Sequence, residues 1–93
     1  MTSYLISCNL KNKDKNYENL YGKIKESSYD NAWWHYLDST WIIKSDLSLS
    51  EITSNLTSTI DKNDCLLVIE VKNTYNGWLP KDAWDYLRDR IFS

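Results

Sequence analysis

One stretch, residues 31–45 with the sequence NAWWHYLDSTWIIKS, narrows the possible folds of this chain more than any other. Two runs of aromatic and β-branched residues flank Asp38 and Ser39, the spacing of a β-hairpin with a two-residue turn. That turn pairs Tyr36 with Trp41 and Trp34 with Ile43 on one face, while Trp33, His35, Leu37, Thr40, Ile42 and Lys44 share the other. The first set makes a core face. The second is too apolar for free water and too polar for a dry interior, which marks a surface that something covers. Asp-Ser lacks the glycine or asparagine that a tight turn prefers, so a longer loop or one bent strand is the alternative.

The rest of the chain supplies partners for this hairpin. Residues 3–10 alternate, with Tyr4, Ile6 and Cys8 on one side and Leu5, Ser7 and Asn9 on the other, and predict a strand. Residues 11–16 are polar, after which Tyr17, Leu20, Tyr21 and Ile24 fall at the spacing of a helix stripe. Ser48 and Glu51 have capping-box spacing ahead of a second stripe, Leu49, Ile52, Leu56 and Ile60. CLLVIEV, residues 65–71, is so nearly continuous in apolar residues that it predicts a strand buried on most of both faces, inside the sheet. After a loop at 73–77, Pro80 can open a last helix with the stripe Trp84, Leu87 and Ile91.

The order β α β β α β α predicts a single α+β domain over 1–93, a ferredoxin-like βαββαβ unit with a four-stranded antiparallel sheet, helices on one face and an extra C-terminal helix. The other face would then show Leu5, Ser7 and Asn9, the mixed side of the hairpin, and Leu66, Val68 and Glu70. Such a face calls for a cover. Two copies packed sheet to sheet, as a homodimer or higher oligomer, or a C-terminal segment folded partly over the face, would provide it.

Charge and composition remove several function classes. The net charge of −2 and pI near 5.2 provide no overall positive field for a polyanion, which argues against long nucleic acid. Lys11, Lys13, Lys15, Lys23 and Lys25 could form a local basic patch, although a solvated surface accounts for them as well. Cys8 and Cys65 lie beside apolar runs without metal-ligand spacing, and are expected to be buried free thiols of a reducing compartment. No stretch approaches the ~20 apolar residues of a membrane span, and the N-terminus lacks the pattern of a signal peptide. The expected location is the cytoplasm.

Catalytic patterns are equally sparse. His35 is the sole histidine. A Cys8–His35 couple would have to form across opposite faces of the inferred sheet. Gly22 and Gly77 stand alone rather than in a phosphate-cradling loop, and Asp61, Asp64, Asp82, Asp85 and Asp89 read as helix-end and solvent-facing charges. The residues imply no catalytic set, no metal site and no cofactor. Binding is what remains. Trp33, Trp78 and Trp84 offer flat faces for a stacked ring, with His35 on the same face of the hairpin as Trp33. Lys72 and Arg88 are the candidate contacts for an anionic group, which makes a nucleotide-type small molecule the leading ligand class.

YLISCNL, WWHYLDSTWII, NDCLLVIEV and GWLPKDAW together resemble a group of small bacterial and phage proteins labelled SinR-like, over residues 3 to about 84. The order of elements and the first strand also resemble the small CRISPR-associated nuclease-like proteins of the adaptation machinery and their toxin-like relatives. That likeness implies a dimer of ferredoxin-like domains, and a metal-dependent nuclease in which an aspartate ends the first strand. The matching position here is Asn9, whose neutral amide is a poorer Mg²⁺ ligand than a carboxylate. No helix-turn-helix pattern accompanies the SinR-like label. Three readings follow: a non-catalytic homo-oligomeric binding protein, a protein-interaction module using the open sheet face, and a metal nuclease.

Overall fold

The computed structural model describes residues 1–12 and 16–93, so Lys13 and Lys15 of the basic stretch lie outside the described residues. Its elements are β1 (Thr2–Asn9), α1 (Glu18–Ser27), β2 (Trp33–Leu37), β3 (Thr40–Ser45), α2 (Leu49–Thr57), β4 (Cys65–Val71) and α3 (Lys81–Tyr86). The strands form one sheet in the order β2-β3-β1-β4, every neighbouring pair antiparallel. This is the ferredoxin-like arrangement with an added C-terminal helix. No helix among the described residues is long and apolar enough to cross a membrane.

The first sheet face carries the larger core. Tyr4, Ile6 and Cys8 of β1 and Trp41 and Ile43 of β3 meet Leu20 and Ile24 of α1 and Ile52 and Leu56 of α2, all buried. Each fully buried aliphatic side chain in such a layer contributes about 1.5–3 kcal/mol. The helices start and dock as their sequences dictate. Ser48 Oγ accepts the Glu51 N–H while the Glu51 carboxylate accepts the Ser48 N–H, closing the capping box. Leu49 lies outside the buried stripe and is exposed, because α2 turns its Ile52–Leu56 line to the sheet. Asp64, in the turn before β4, fastens this layer at its far end: its carboxylate accepts the Lys11 N–H, the Tyr17 hydroxyl and the Asp61 N–H at 2.8–2.9 Å.

The hairpin departs from the predicted pairing halfway along. Leu37 stands opposite Thr40, as a two-residue Asp38–Ser39 turn requires, but Trp34 pairs with Ile42 and Trp33 with Ile43. His35 and Tyr36 therefore share the place opposite Trp41, a β-bulge that shifts everything before it by one residue. As a result Trp33 and His35 lie on the first face, and Trp34 and Tyr36 on the second, the reverse of the predicted assignment. Ring packing accounts for the exchange: the His35 ring stacks on Trp41 at 3.7 Å and 14°, with Tyr21 on the same indole at 5.5 Å.

β4 also sits differently from its predicted place. It is an edge strand, not an inner one. Leu66 and Val68 pack on the first core and Glu70 pairs with Tyr4 on that same face, so the row expected on the open face is the helix-side row. The second face instead receives Cys65, Leu67, Ile69 and Val71, by alternation. Cys65 is exposed there while Cys8 is buried, and both thiols are free. The continuous apolar character of CLLVIEV thus reflects one row beneath the helices and one row facing outward.

Half of the second face is closed by the chain itself. α3 runs on into a π-helical turn, Leu87–Ile91, in which the Phe92 N–H donates to Leu87 O at 2.9 Å. Ala83, Leu87 and Ile91 pack with Ala32 and Trp34 into a second, smaller core, flanked by Ile42 of β3. Trp34 Nε1–H donates to Ala83 O at 3.1 Å, and the Ser3 hydroxyl donates to Ile91 O at 3.0 Å. The C-terminal segment folding partly over the face is therefore what occurs. It lies over β2 and β3 and reaches β1 at Ser3. The β4 side keeps Leu67 and Ile69 at 57% and 42% exposure.

Candidate binding groove

Between the covered and uncovered halves of the second face lies a groove of about 270 Å³. Its floor is Leu5, Trp34, Thr40 and Ile42 of the sheet, with Leu37 at one end. One wall is the 75–79 loop and the other is Trp84 and Leu87 of the last helix. None of the lining residues carries a charge. Thr40 and Asn76 supply the polar groups.

The loop wall is held by aromatic packing and short hydrogen bonds. Trp84 Nε1–H donates to Leu79 O at 3.1 Å, which ties the end of the loop to α3. Tyr75 stacks on Trp84 at 6.0 Å and 12° and on Phe92 at 5.2 Å and 23°. Asn76 Oδ1 accepts the Gly77 N–H at 2.8 Å, a local turn device. Trp78 comes next in the chain and has no such support. It is 98% exposed at the rim, the largest apolar surface any side chain of the described residues offers to solvent. An exposed indole next to an apolar hollow can close over a flat ligand, with ring stacking and a donor at its edge.

The six candidate binding residues do not form one site. Trp78 and Trp84 share the groove. Trp33 and His35 share a separate, more open cleft of about 620 Å³ at the β2 margin, with Lys25, Asn31, Tyr36 and Tyr86. There Lys25 Nζ sits 4.6 Å from the centre of a Trp33 ring, a cation–π contact that occupies one indole face. One face of His35 is likewise taken by Trp41, and its Nε2 lies 3.0 Å from Asp38 O. The Tyr36 hydroxyl donates to Asp82 at 3.3 Å; partial desolvation, and then that carboxylate, push its pKa above the ordinary tyrosine value. Asp30 and Asn31, at the cleft's rim, both hold φ of 55°, a left-handed conformation these two residue types tolerate.

The two candidate cations belong to neither place. Lys72, just past β4, borders a hollow beside the two chain ends with Lys44, Phe92 and Ser93. Arg88 is exposed on the last helix and paired with Asp89 at 2.8 Å and Asp85 at 3.3 Å. These pairings lower the pKa of both carboxylates, Asp89 chiefly through Arg88 and Asp85 chiefly through its hydrogen bond from Lys81, and raise that of the guanidinium. An anion at the groove would have to look elsewhere for its counter-charge.

Groups suited to other chemistry are dispersed. Cys8 is buried, and burial pushes its thiol pKa up, away from the reactive thiolate. Asn9 ends β1 in an exposed position. The described residues bring no three His, Cys, Asp or Glu side chains together in a way that could hold a metal ion. Trp34, Tyr75 and Leu79 are groove residues that the sequence pattern did not single out. The bulge hid Trp34, Tyr75 lies in the polar NTYNGW run, read as a plain loop, and Leu79 follows directly after it. Comparison with protein-family models, with curated proteins and with solved structures finds no match.

Proposed function

We propose that the protein is a non-catalytic binding protein that takes a planar, uncharged ring into the groove on its second sheet face. The observation that carries this reading is Trp78, almost fully exposed on the rim of a hollow whose lining is aromatic, aliphatic and free of charge. An isolated exposed indole is a poor use of apolar surface, whereas one that folds onto a bound ring regains it. Trp34 and Trp84 are fixed by hydrogen bonds to backbone carbonyls, so the ligand meets a preformed floor and wall rather than one it must organise. Thr40 and Asn76 favour a ring with polar edges. A nucleobase or nucleoside meets these requirements better than a nucleotide, because the phosphates would find no cation in the lining.

Tryptophan emission during titration tests the reading. Adenosine, guanosine, cytidine and uridine are added in parallel with their monophosphates, to the intact chain and to Trp78→Ala. At least one nucleoside should quench or shift the emission saturably, more strongly than its monophosphate, and Trp78→Ala should abolish the response. Flat traces with all eight compounds would defeat the proposal. They would favour the protein-interaction module instead, a reading that the exposed Leu67 and Ile69 beside the groove also support.

A further inference from the structure

The two margins of the sheet are built differently. β2 is interrupted by the His35–Tyr36 bulge and flanked by Lys25 and Tyr86, devices that discourage another strand from pairing there. β4 has none of these. Its register against β1 runs without irregularity from Ser3↔Val71 to Asn9↔Cys65, and CLLVIEV contains no proline, no glycine and one charge, Glu70. No strand of the described residues pairs with its outer margin. A straight, apolar, seven-residue edge is a template for strand addition.

We propose that β4 pairs antiparallel with β4 of a second copy, about a two-fold axis at Val68, joining two four-stranded sheets into one of eight. The proposal does not depend on what the groove takes. Three considerations select this partner and this register. An axis through a residue keeps the helices of both copies on one side of the joined sheet, so that the two exposed strips merge and Leu67 of each copy meets Ile69 of the other. Moving the axis to Leu67 leaves Glu70 and Val71 without a partner in the other strand. Moving it to Ile69 leaves Cys65 and Leu66 without a partner in the other strand and sets Lys72 opposite Leu66. At Val68, the midpoint of Cys65–Val71, all seven residues of each strand are paired with the other copy's strand. The strand is thus its own best complement, as an isologous contact requires. A contact confined to one edge and its flanking side chains is small, below about 1,200 Å² in total, so the dimer should dissociate on dilution.

Light scattering on the intact chain over a dilution series, with two variants, tests this. The mass should fall from twice 11.0 kDa toward 11.0 kDa as concentration drops. Cys65 and residue 71 of the two copies are opposed in the proposed register, at a separation a disulfide can span. Val71→Cys under mild oxidation should therefore form a covalent dimer through Cys65, whereas the unaltered chain should not cross-link. Ile69→Lys places an ammonium opposite Leu67 and should weaken association on the order of tenfold or more, with the melting transition kept. A monomer at every concentration would overturn the proposal. So would a dimer that Val71→Cys fails to cross-link, one that cross-links through Cys65 alone, or one indifferent to Ile69→Lys.

Discussion

The two faces of this sheet are filled by opposite means. On the first, α1 and α2 lay continuous apolar stripes over β1, β3 and β4, and the hydrogen-bonding groups at the margins are taken up locally, by the capping box at Ser48 and by Asp64 at the far turn. On the second, one short helix lies over β2 and β3 and touches β1 at Ser3, and its contacts are anchored by two side-chain donors, Trp34 and Ser3. What separates them is supply. Two helices suffice for one face, and a single segment of about three turns cannot cover the other, so apolar surface is left over beside a groove. The closed face holds the fold, and the under-covered face leaves the groove and the β4 margin open to solvent.

The largest effect should come from the residue that joins the helix to the second face. Trp34→Ala removes an almost fully buried indole and its bond to Ala83 O, and should lower stability by about 3–5 kcal/mol in a denaturant titration. A loss no greater than that of an exposed residue would mean that α3 is not docked as described. Leu56→Ala, on the opposite face, should cost about 2–5 kcal/mol. Its cavity cannot be refilled, because α1, α2 and the sheet close on it from all sides. Ser48→Ala opens the capping box and should cost about 1 kcal/mol, with the fold retained by circular dichroism.

Smaller effects distinguish the surfaces. Trp78→Ala should alter stability by no more than about 0.5 kcal/mol, since the indole touches little of the fold; a larger loss would move Trp78 into the covered half. The smallest effect concerns acid. Asp85 and Asp89 have lowered pKa values, so the stability they contribute is present above the usual carboxylate range and is lost as the pH falls through their folded values. These groups are exposed and screened, so Arg88→Gln should narrow the difference between neutral and acid melting temperatures only slightly.

The first face was legible in the sequence because its signals are local. Alternation in residues 3–10, the Ser48–Glu51 spacing and the Ile52–Leu56 stripe each follow from neighbours in the chain, and β4 begins and ends where its apolar run does. The second face was not, because its determinants act at a distance. Whether His35 or Tyr36 turns toward Trp41 is decided by the stack of His35 on that ring, and this single choice carries Trp34 into the groove and Trp33 out of it. CLLVIEV suggested an inner strand since two apolar rows normally mean two covers, and nothing in the run shows that one cover is missing. Of the groove, Trp78 and Trp84 could be marked from composition, but their union with Trp34 needed the bulge.

The widened last turn of the C-terminal helix has a geometric consequence. Ala83, Leu87 and Ile91 are four residues apart, and on a regular helix each such step overshoots a full turn by about 40°. Across two steps the third side chain would swing about a quarter-circle off the line of the first. Taking one more residue into the ring that closes at Phe92 absorbs that precession, so all three side chains face the sheet like teeth along a straight rack. A rod that must lie flat on a plane over three anchor points has to coil or slacken, and this one slackens in its last turn, where the Ser3 hydroxyl donates to the terminal Ile91 carbonyl.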